Sequence, residues 1–67
     1  MGLFDAFRYD GKRAVVVERI ANDEEVGRAR IDGEVWTARS FDDGAVIETG
    51  SVVEVVAIRG ATALVIP

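Results

Sequence analysis

Apolar and polar residues alternate most regularly on the two sides of Asp32-Gly33, over residues 26–40. An Asp-Gly pair between alternating stretches is a strong signal for a β-hairpin with a two-residue loop, because both residues tolerate positive φ. Such a loop fixes the register, which pairs Ile31 with Glu34, Arg30 with Val35, Ala29 with Trp36 and Arg28 with Thr37. Since side chains alternate between faces, the core face carries Ala29, Ile31, Trp36 and Ala38, and the outward face carries Val26, Arg28, Arg30, Val35, Thr37 and Arg39.

The residues before the hairpin predict one long strand and a loop. Residues 12–20 are rich in β-branched side chains and follow an Asp-Gly turn, which is typical of a strand. Their central run, Ala14–Val17, is uninterrupted and apolar, so we expect the middle of this strand to be covered on both faces. Residues 21–25 are polar, with three carboxylates, and predict a loop.

The residues after the hairpin predict two further strands and a short bridge. Turns at residues 42–44 and 48–50 flank the bridge, Val46-Ile47. Residues 51–59 and 61–66 are the strands, separated by a turn at Gly60. The expected inward residues are Val53, Val55 and Ile58 in the first strand and Leu64 and Ile66 in the second. The step of three residues from 55 to 58 breaks the alternation and predicts a β-bulge.

The fold class follows from this tally of five strands within residues 12–66. Eleven valines and five isoleucines against two leucines agree with it, because β-branched residues favour strands. A small closed barrel hides the strand edges. We therefore predict an all-β, five-stranded OB-fold (oligonucleotide/oligosaccharide-binding) β-barrel over residues 11–67. An SH3-like barrel is the competitor, and the long second and third strands with the longer link to the fourth favour the OB arrangement.

The first ten residues are expected to form an extension to the barrel domain. Leu3, Phe4 and Phe7 have helical spacing, enough for one or two amphipathic turns. Such turns could cover one end of the barrel or lead out of a segment upstream, and the sequence leaves both open.

Composition and charge exclude several kinds of catalytic and binding site. The chain has no cysteine and no histidine, which excludes disulfides, thiolate metal sites and Ser-His or Cys-His catalysis. Neighbouring carboxylates at 23–25 and 42–43 lie in predicted loops, where they are ordinarily solvated, and no nucleotide-binding glycine motif is present. We expect no enzyme activity, no cofactor and no metal. The net charge of −4 argues against a general nucleic-acid or anionic-membrane binder.

Several stretches resemble the C-terminal soluble domain of the NfeD-like family (nodulation formation efficiency D). Residues 27–39, with Ile31-Asp32-Gly33-Glu34 at their centre and Trp36 in the second strand, look like its signature. Residues 46–55 resemble its Ile-x-x-Gly-x-x-Val-x-Val stretch, and 60–67 its closing strand. Residues 11–17 are more loosely similar to its opening strand. The acidic, proline-free residues 20–26 depart from the Leu-x-Pro-x-Gly turn common there, so functions of that loop are not carried over.

The resemblance implies an OB barrel that belongs to a membrane protein. In the family, transmembrane helices precede the barrel and some longer members add a serine-protease domain. Members are typically encoded beside stomatin/prohibitin-like (SPFH) membrane proteins, for which the barrel serves as an interaction module. By resemblance, we expect a non-enzymatic protein–protein interaction module from a membrane-associated parent, on the cytoplasmic side, with an SPFH protein as its partner.

The outward face of the hairpin is the candidate contact surface, because OB barrels bind across their second and third strands. We name it the hairpin outer face; its residues are Arg28, Arg30, Val35, Thr37 and Arg39. Arginine is enriched at interfaces and binds carboxylates with two hydrogen bonds. Three alternatives stay open at this point: a solvated strand face, a structural spacer, and an OB-fold binder of single-stranded nucleic acid or a small ligand. Nucleic acid is disfavoured because Trp36, the hairpin's one aromatic residue, is predicted inward and cannot stack on bases.

Overall fold

The computed structural model describes residues 11–67, which contain six strands, and five of these close into a barrel. The strands are β1 (Arg13–Ala21), β2 (Val26–Ile31), β3 (Glu34–Ser40), β4 (Val46–Ile47), β5 (Val52–Arg59) and β6 (Thr62–Ile66), and a 3₁₀ turn, Asn22–Glu24, joins β1 to β2. The order around the barrel is β1-β2-β3-β6-β5 and back to β1, with the two-residue β4 on the end of β1. β3 and β6 run parallel, and the other neighbours are antiparallel. This arrangement confirms the OB-fold prediction over the SH3-like alternative. The helical turn predicted near Phe7 lies outside the described residues.

The β2–β3 hairpin has the predicted register in all four pairs. Asp32 and Gly33 both have positive φ, 49° and 83°, as a two-residue loop that matches the twist of its strands requires. Lys12 forms an ion pair with Asp32, at 2.7 Å between Nζ and Oδ2, and so connects the start of β1 to this loop. The predicted division of the hairpin into two faces is also confirmed. Ala29, Ile31 and Ala38 are fully buried and Trp36 packs against the core from a partly buried position.

The core is filled by small and β-branched side chains from every strand of the barrel. Its members are Ala14, Val16, Ile20, Ala29, Ile31, Ala38, Ile47, Val53, Val55, Ala63 and Val65. The predicted bulge in β5 is present, because the pairing with β6 shifts between Val55 and Ala57. Val53 and Val55 are buried and Ile58 packs against the core, as predicted. The bulge lets a strongly curved strand keep its apolar residues inward on both sides of the bend.

The inward residues predicted for the last strand are wrong. Ala63 and Val65 are fully buried, whereas Leu64 and Ile66 are only partly covered. The stretch 63–66 has no polar residue that would mark an outward position. Its phase is set by tertiary pairing instead, since Ala63 lies opposite Ala38 and Val65 lies opposite Ser40 in the parallel ladder with β3.

The prediction that Ala14–Val17 is covered on both faces is also wrong. Ala14 and Val16 are buried, but Val15 between them is 44% exposed. The apolar run has a different cause: the pairing of β1 with β2 shifts between Val16 and Glu18, so Val17 is an extra residue in a bulge. Beyond the bulge Glu18 faces outward again.

The 3₁₀ turn is joined to the end of β3 by the side chain of Asn22. Its Nδ2 donates to the carbonyl oxygen of Ser40 at 2.9 Å, and its Oδ1 accepts from the backbone nitrogen of Ser40 at 2.9 Å. The amide thus makes the two hydrogen bonds that a neighbouring strand would make. Satisfying these backbone groups lets β3 end without an unpaired donor and acceptor.

The hydroxyl of Ser40 points to a first testable prediction. Ser40 is 2% exposed, and its Oγ has no hydrogen-bond partner within residues 11–67. A buried polar atom without a partner costs about 1–3 kcal/mol. Replacement of Ser40 by alanine should therefore raise the free energy of unfolding by about 1 kcal/mol, measured by urea denaturation. Ser51→Ala, on a half-buried turn residue, is the control and should leave it nearly unchanged. A destabilised Ser40→Ala protein would contradict the prediction.

Candidate partner-binding surface

The hairpin outer face lies on the outside of the barrel, as the sequence predicted. Arg28 is directly opposite Thr37, and Arg30 is directly opposite Val35, so these four side chains form two adjacent cross-strand pairs. All four residues are exposed. The structure therefore brings four of the five predicted residues together on one surface.

Arg39 is placed differently from the other four. Its Nη1 donates to the carbonyl oxygen of Ala38 at 2.8 Å and to that of Gly27 at 3.4 Å, and its Nη2 donates to the carbonyl oxygen of Glu25 at 2.8 Å. Arg39 thus binds the backbone where β2 begins and is only partly exposed. Its side chain therefore links β3 to the start of β2, and its guanidinium makes three hydrogen bonds within the barrel.

The two arginines of β2, Arg28 and Arg30, differ in whether their side chains already have an ion-pair partner. Arg28 Nε lies 3.4 Å from Glu18 Oε1 on β1, an exposed ion pair of small energetic value. Arg30 forms no ion pair or hydrogen bond through its side chain with any residue of the described range 11–67. Arg30 is therefore the cation of this face with its hydrogen-bonding capacity open to a partner.

The surface extends beyond the hairpin, which the sequence reasoning missed. Val15 of β1 lies opposite Arg30 on one side and opposite Val52 of β5 on the other. Val15 and Val52 are 44% and 57% exposed, and Val35 is 49% exposed. The signal that could have found Val15 was its position between Ala14 and Val16, since neighbours in a strand point to opposite faces.

A groove lies at the end of β3. It has a volume of about 360 Å³, and its lining includes Phe41, Asp43, Arg59 and Leu64. Phe41 is 62% exposed. Two arginines, Arg39 and Arg59, and one aspartate, Asp43, bring both charges to the same lining.

The described residues offer neither a metal site nor a membrane-spanning helix. Among residues 11–67, no three acidic side chains are grouped so that they could hold a metal ion. In the same part of the chain, no helix has the length and apolar content needed to cross a bilayer.

Two solved structures share this fold over about nine tenths of the chain. The chain is similar to the soluble domain of a membrane protein implicated in regulation of membrane protease activity from Corynebacterium glutamicum, with 37% identity, a TM-score of 0.83, and coverage of 90% of this chain and 92% of that one. It is also similar to the C-terminal domain of stomatin operon partner protein 1510-C from Pyrococcus horikoshii, with 34% identity, a TM-score of 0.79, and coverage of 91% and 89%. Among functionally curated proteins, none matches the chain.

Comparison with protein families gives the assignment. The family described as the NfeD-like C-terminal, partner-binding domain matches residues 8–67, nearly the whole chain. The match covers the barrel from β1 to β6, including the hairpin that carries the outer face. The chain therefore belongs to the NfeD-like family, as one of its C-terminal, partner-binding domains, and is a protein-interaction module.

Proposed function

We propose that this domain docks onto a stomatin/prohibitin-like (SPFH) membrane scaffold protein and that the hairpin outer face makes the contact. It acts by binding and carries out no reaction of its own. Its parent protein is held at a membrane, with the barrel on the cytoplasmic side. The similar protein from Pyrococcus horikoshii is named a stomatin operon partner, and the one from Corynebacterium glutamicum is a domain of a membrane protein, which supports this choice of partner and setting.

The observation that carries the proposal is the position of Arg30. Its guanidinium is exposed and has no ion pair within residues 11–67, and it stands between Val35 and Val15, two valines that are themselves about half exposed. An arginine beside exposed apolar side chains is a common composition for the centre of a protein interface. A strand face whose only role was solubility is expected to carry polar side chains around the charge in place of half-exposed valines.

The half-buried position of Trp36 argues against the alternative that the domain binds single-stranded nucleic acid. Trp36 packs against the core and is not among the exposed large apolar residues. Binding of single strands relies on exposed aromatic rings on which bases stack. The hairpin outer face offers Val35 and Thr37 in their place, so a protein partner fits it better.

Reversal of charge tests this proposal. The double variant Arg28→Glu/Arg30→Glu should bind a purified SPFH protein from the same organism at least about tenfold more weakly, because a carboxylate partner of Arg30 would then be repelled. Affinity is measured by titration of the purified partner. Circular dichroism of the variant should match the unaltered protein, since both side chains are exposed.

The matched control changes the same amount of charge elsewhere. Arg19→Glu/Arg59→Glu also takes the net charge from −4 to −8, by two reversals of −2 each, but leaves the hairpin unchanged. Binding by this control should stay within about twofold of the unaltered protein once salt screens long-range repulsion. Equal losses in both variants, or no loss in the first, would refute the hairpin outer face as the contact.

A further inference from the structure

Four exposed side chains form a row, in register, across four neighbouring strands of the barrel. Val52 of β5 lies opposite Val15 of β1, Val15 lies opposite Arg30 of β2, and Arg30 lies opposite Val35 of β3. Directly opposed residues point to the same side of a sheet. We name this set, Val52, Val15, Arg30 and Val35, the outer row. Neighbouring strands are about 4.8 Å apart, so the row is roughly 14 Å long when followed along the surface of the barrel.

The outer row concentrates the exposed apolar surface of the barrel. Residues 11–67 contain five exposed large hydrophobic residues, and three of them, Val15, Val35 and Val52, belong to the row. The other two, Phe41 and Val46, lie in the β3–β4 connection and in β4. Exposed valines scattered singly need no explanation, but three in register around one arginine form a patch.

The charge within the row specifies what must cover it. Arg30 is the only charged member, and its side chain has no anionic partner in residues 11–67. An apolar partner alone would bury the guanidinium without compensation, which is strongly unfavourable. A partner that covers the valines must therefore place a carboxylate over Arg30, where a guanidinium can bind it with two hydrogen bonds.

The closed barrel limits how a partner can approach. β1, β2, β3, β6 and β5 are each paired on both sides, so none of them offers a free edge for an added strand. Contact at the outer row is therefore made by side chains. A helix that crosses the strands presents a side chain about every 5.4 Å along one face, close to the strand spacing of about 4.8 Å.

We infer that the outer row is the docking site for an amphipathic helix of the partner, which lies across β5, β1, β2 and β3. Its apolar side chains cover Val52, Val15 and Val35 on successive turns, and one aspartate or glutamate binds Arg30. This inference rests on the proposed function, because it takes the SPFH protein as the partner. It moves the centre of the contact from the hairpin toward β1 and β5.

Isosteric substitution tests the apolar part of the row. The triple variant Val15→Thr/Val35→Thr/Val52→Thr keeps the shape and strand preference of each side chain but makes it polar. Its affinity for the SPFH protein should fall at least about tenfold, as expected for a contact centred on these residues. Val46→Thr, on a valine that is 55% exposed but outside the row, should bind within about twofold of the unaltered protein.

Crosslinking tests the helix. The chain has no cysteine, so Val15→Cys, Val35→Cys and Val52→Cys each give one thiol for a photoreactive label. The three labels should react with one segment of the partner, in the order 52, 15, 35, spaced by about one turn and then about two turns of helix. Reaction with distant segments, or with a second copy of the chain, would overturn the inference.

The two proposals fail in different ways. If the unaltered chain does not bind the SPFH protein, the proposed function is wrong and the inference falls with it. If the unaltered chain binds and the triple threonine variant binds equally well, the outer row is not the contact, while the proposed function stands. If the triple threonine variant loses binding and a single Arg28→Glu variant, which changes no member of the row, does not, the contact is centred on the row.

Discussion

Replacement of Gly27 by alanine is expected to remove a large part of the protein's free energy of unfolding. Gly27 has φ of 147°, a conformation that residues with a side chain rarely adopt. A Cβ added there would lie 2.6 Å from the carbonyl oxygen of Ala38 and 2.9 Å from Cγ1 of Ile20. Ala38 O is a backbone atom that accepts a hydrogen bond from Arg39 Nη1, and the same Nη1 donates to Gly27 O, so moving Ala38 O would disturb this link between β3 and β2.

The size of the effect follows from strain and overpacking together. Each contributes about 1–3 kcal/mol, so we expect a loss of about 3–5 kcal/mol in the free energy of unfolding. A domain of this size has a total stability of roughly 3–10 kcal/mol. The loss is measured by urea denaturation, followed through the fluorescence of Trp36, which is the single tryptophan.

Gly44 provides the matched control for this substitution. A Cβ at Gly44 would meet no atom within 4 Å, and its φ is not positive. Gly44→Ala should change the stability by less than about 0.5 kcal/mol, because it is a surface position without a special conformation. A Gly27→Ala protein as stable as the Gly44→Ala protein would show that the strands separate easily at this point.

The hairpin shows what local sequence can predict. Its register depends on the Asp32-Gly33 loop, whose geometry is set by two adjacent residues, and all four predicted pairs are present. The bulge in β5 was also predictable, because Val53, Val55 and Ile58 can share one face only if the strand has an extra residue between 55 and 58. Where a turn or a break in alternation fixes the phase, the pattern is sufficient.

The last strand shows where that reasoning stops. In Ala63-Leu64-Val65-Ile66 no polar residue distinguishes the two faces, and the phase depends on β3, more than twenty residues earlier in the chain. The same holds for Arg39. Its outward position was predicted, but its bonds to the carbonyl oxygens of Glu25 and Ala38 depend on how closely β2 approaches β3.

The candidate surface was predictable only in part for the same reason. Arg28, Arg30, Val35 and Thr37 follow from the hairpin alone, because their pairing is local. Val15 and Val52 join Arg30 only when the barrel closes and brings β1 and β5 beside β2. The prediction that Ala14–Val17 is covered on both faces concealed the exposed position of Val15. It placed Val15 in the core together with Val16, whereas only Val16 is buried.

Val15 and Val16 therefore offer a direct separation of stability from binding. The two residues are adjacent and identical in chemistry, but Val16 is 1% exposed in the core whereas Val15 is 44% exposed in the outer row. Val16→Ala should lower the free energy of unfolding by about 2–3 kcal/mol, because it removes buried methyl groups and leaves a cavity. Val15→Ala should lower it by less than about 0.5 kcal/mol.

For partner binding, Val15→Ala should have the larger effect and Val16→Ala the smaller one. Val15→Ala removes a side chain at the centre of the outer row and should weaken binding of the SPFH protein, measured by titration at a temperature where both variants are folded. Val16→Ala leaves every outward side chain in place, so its folded fraction should bind like the unaltered protein. Stability and affinity that fell together in both variants would mean that binding reports only the amount of folded barrel. If Val16→Ala causes the larger loss of stability and Val15→Ala the larger loss of affinity, the two faces of β1 must have separate roles, one in the core and one in contact with the partner.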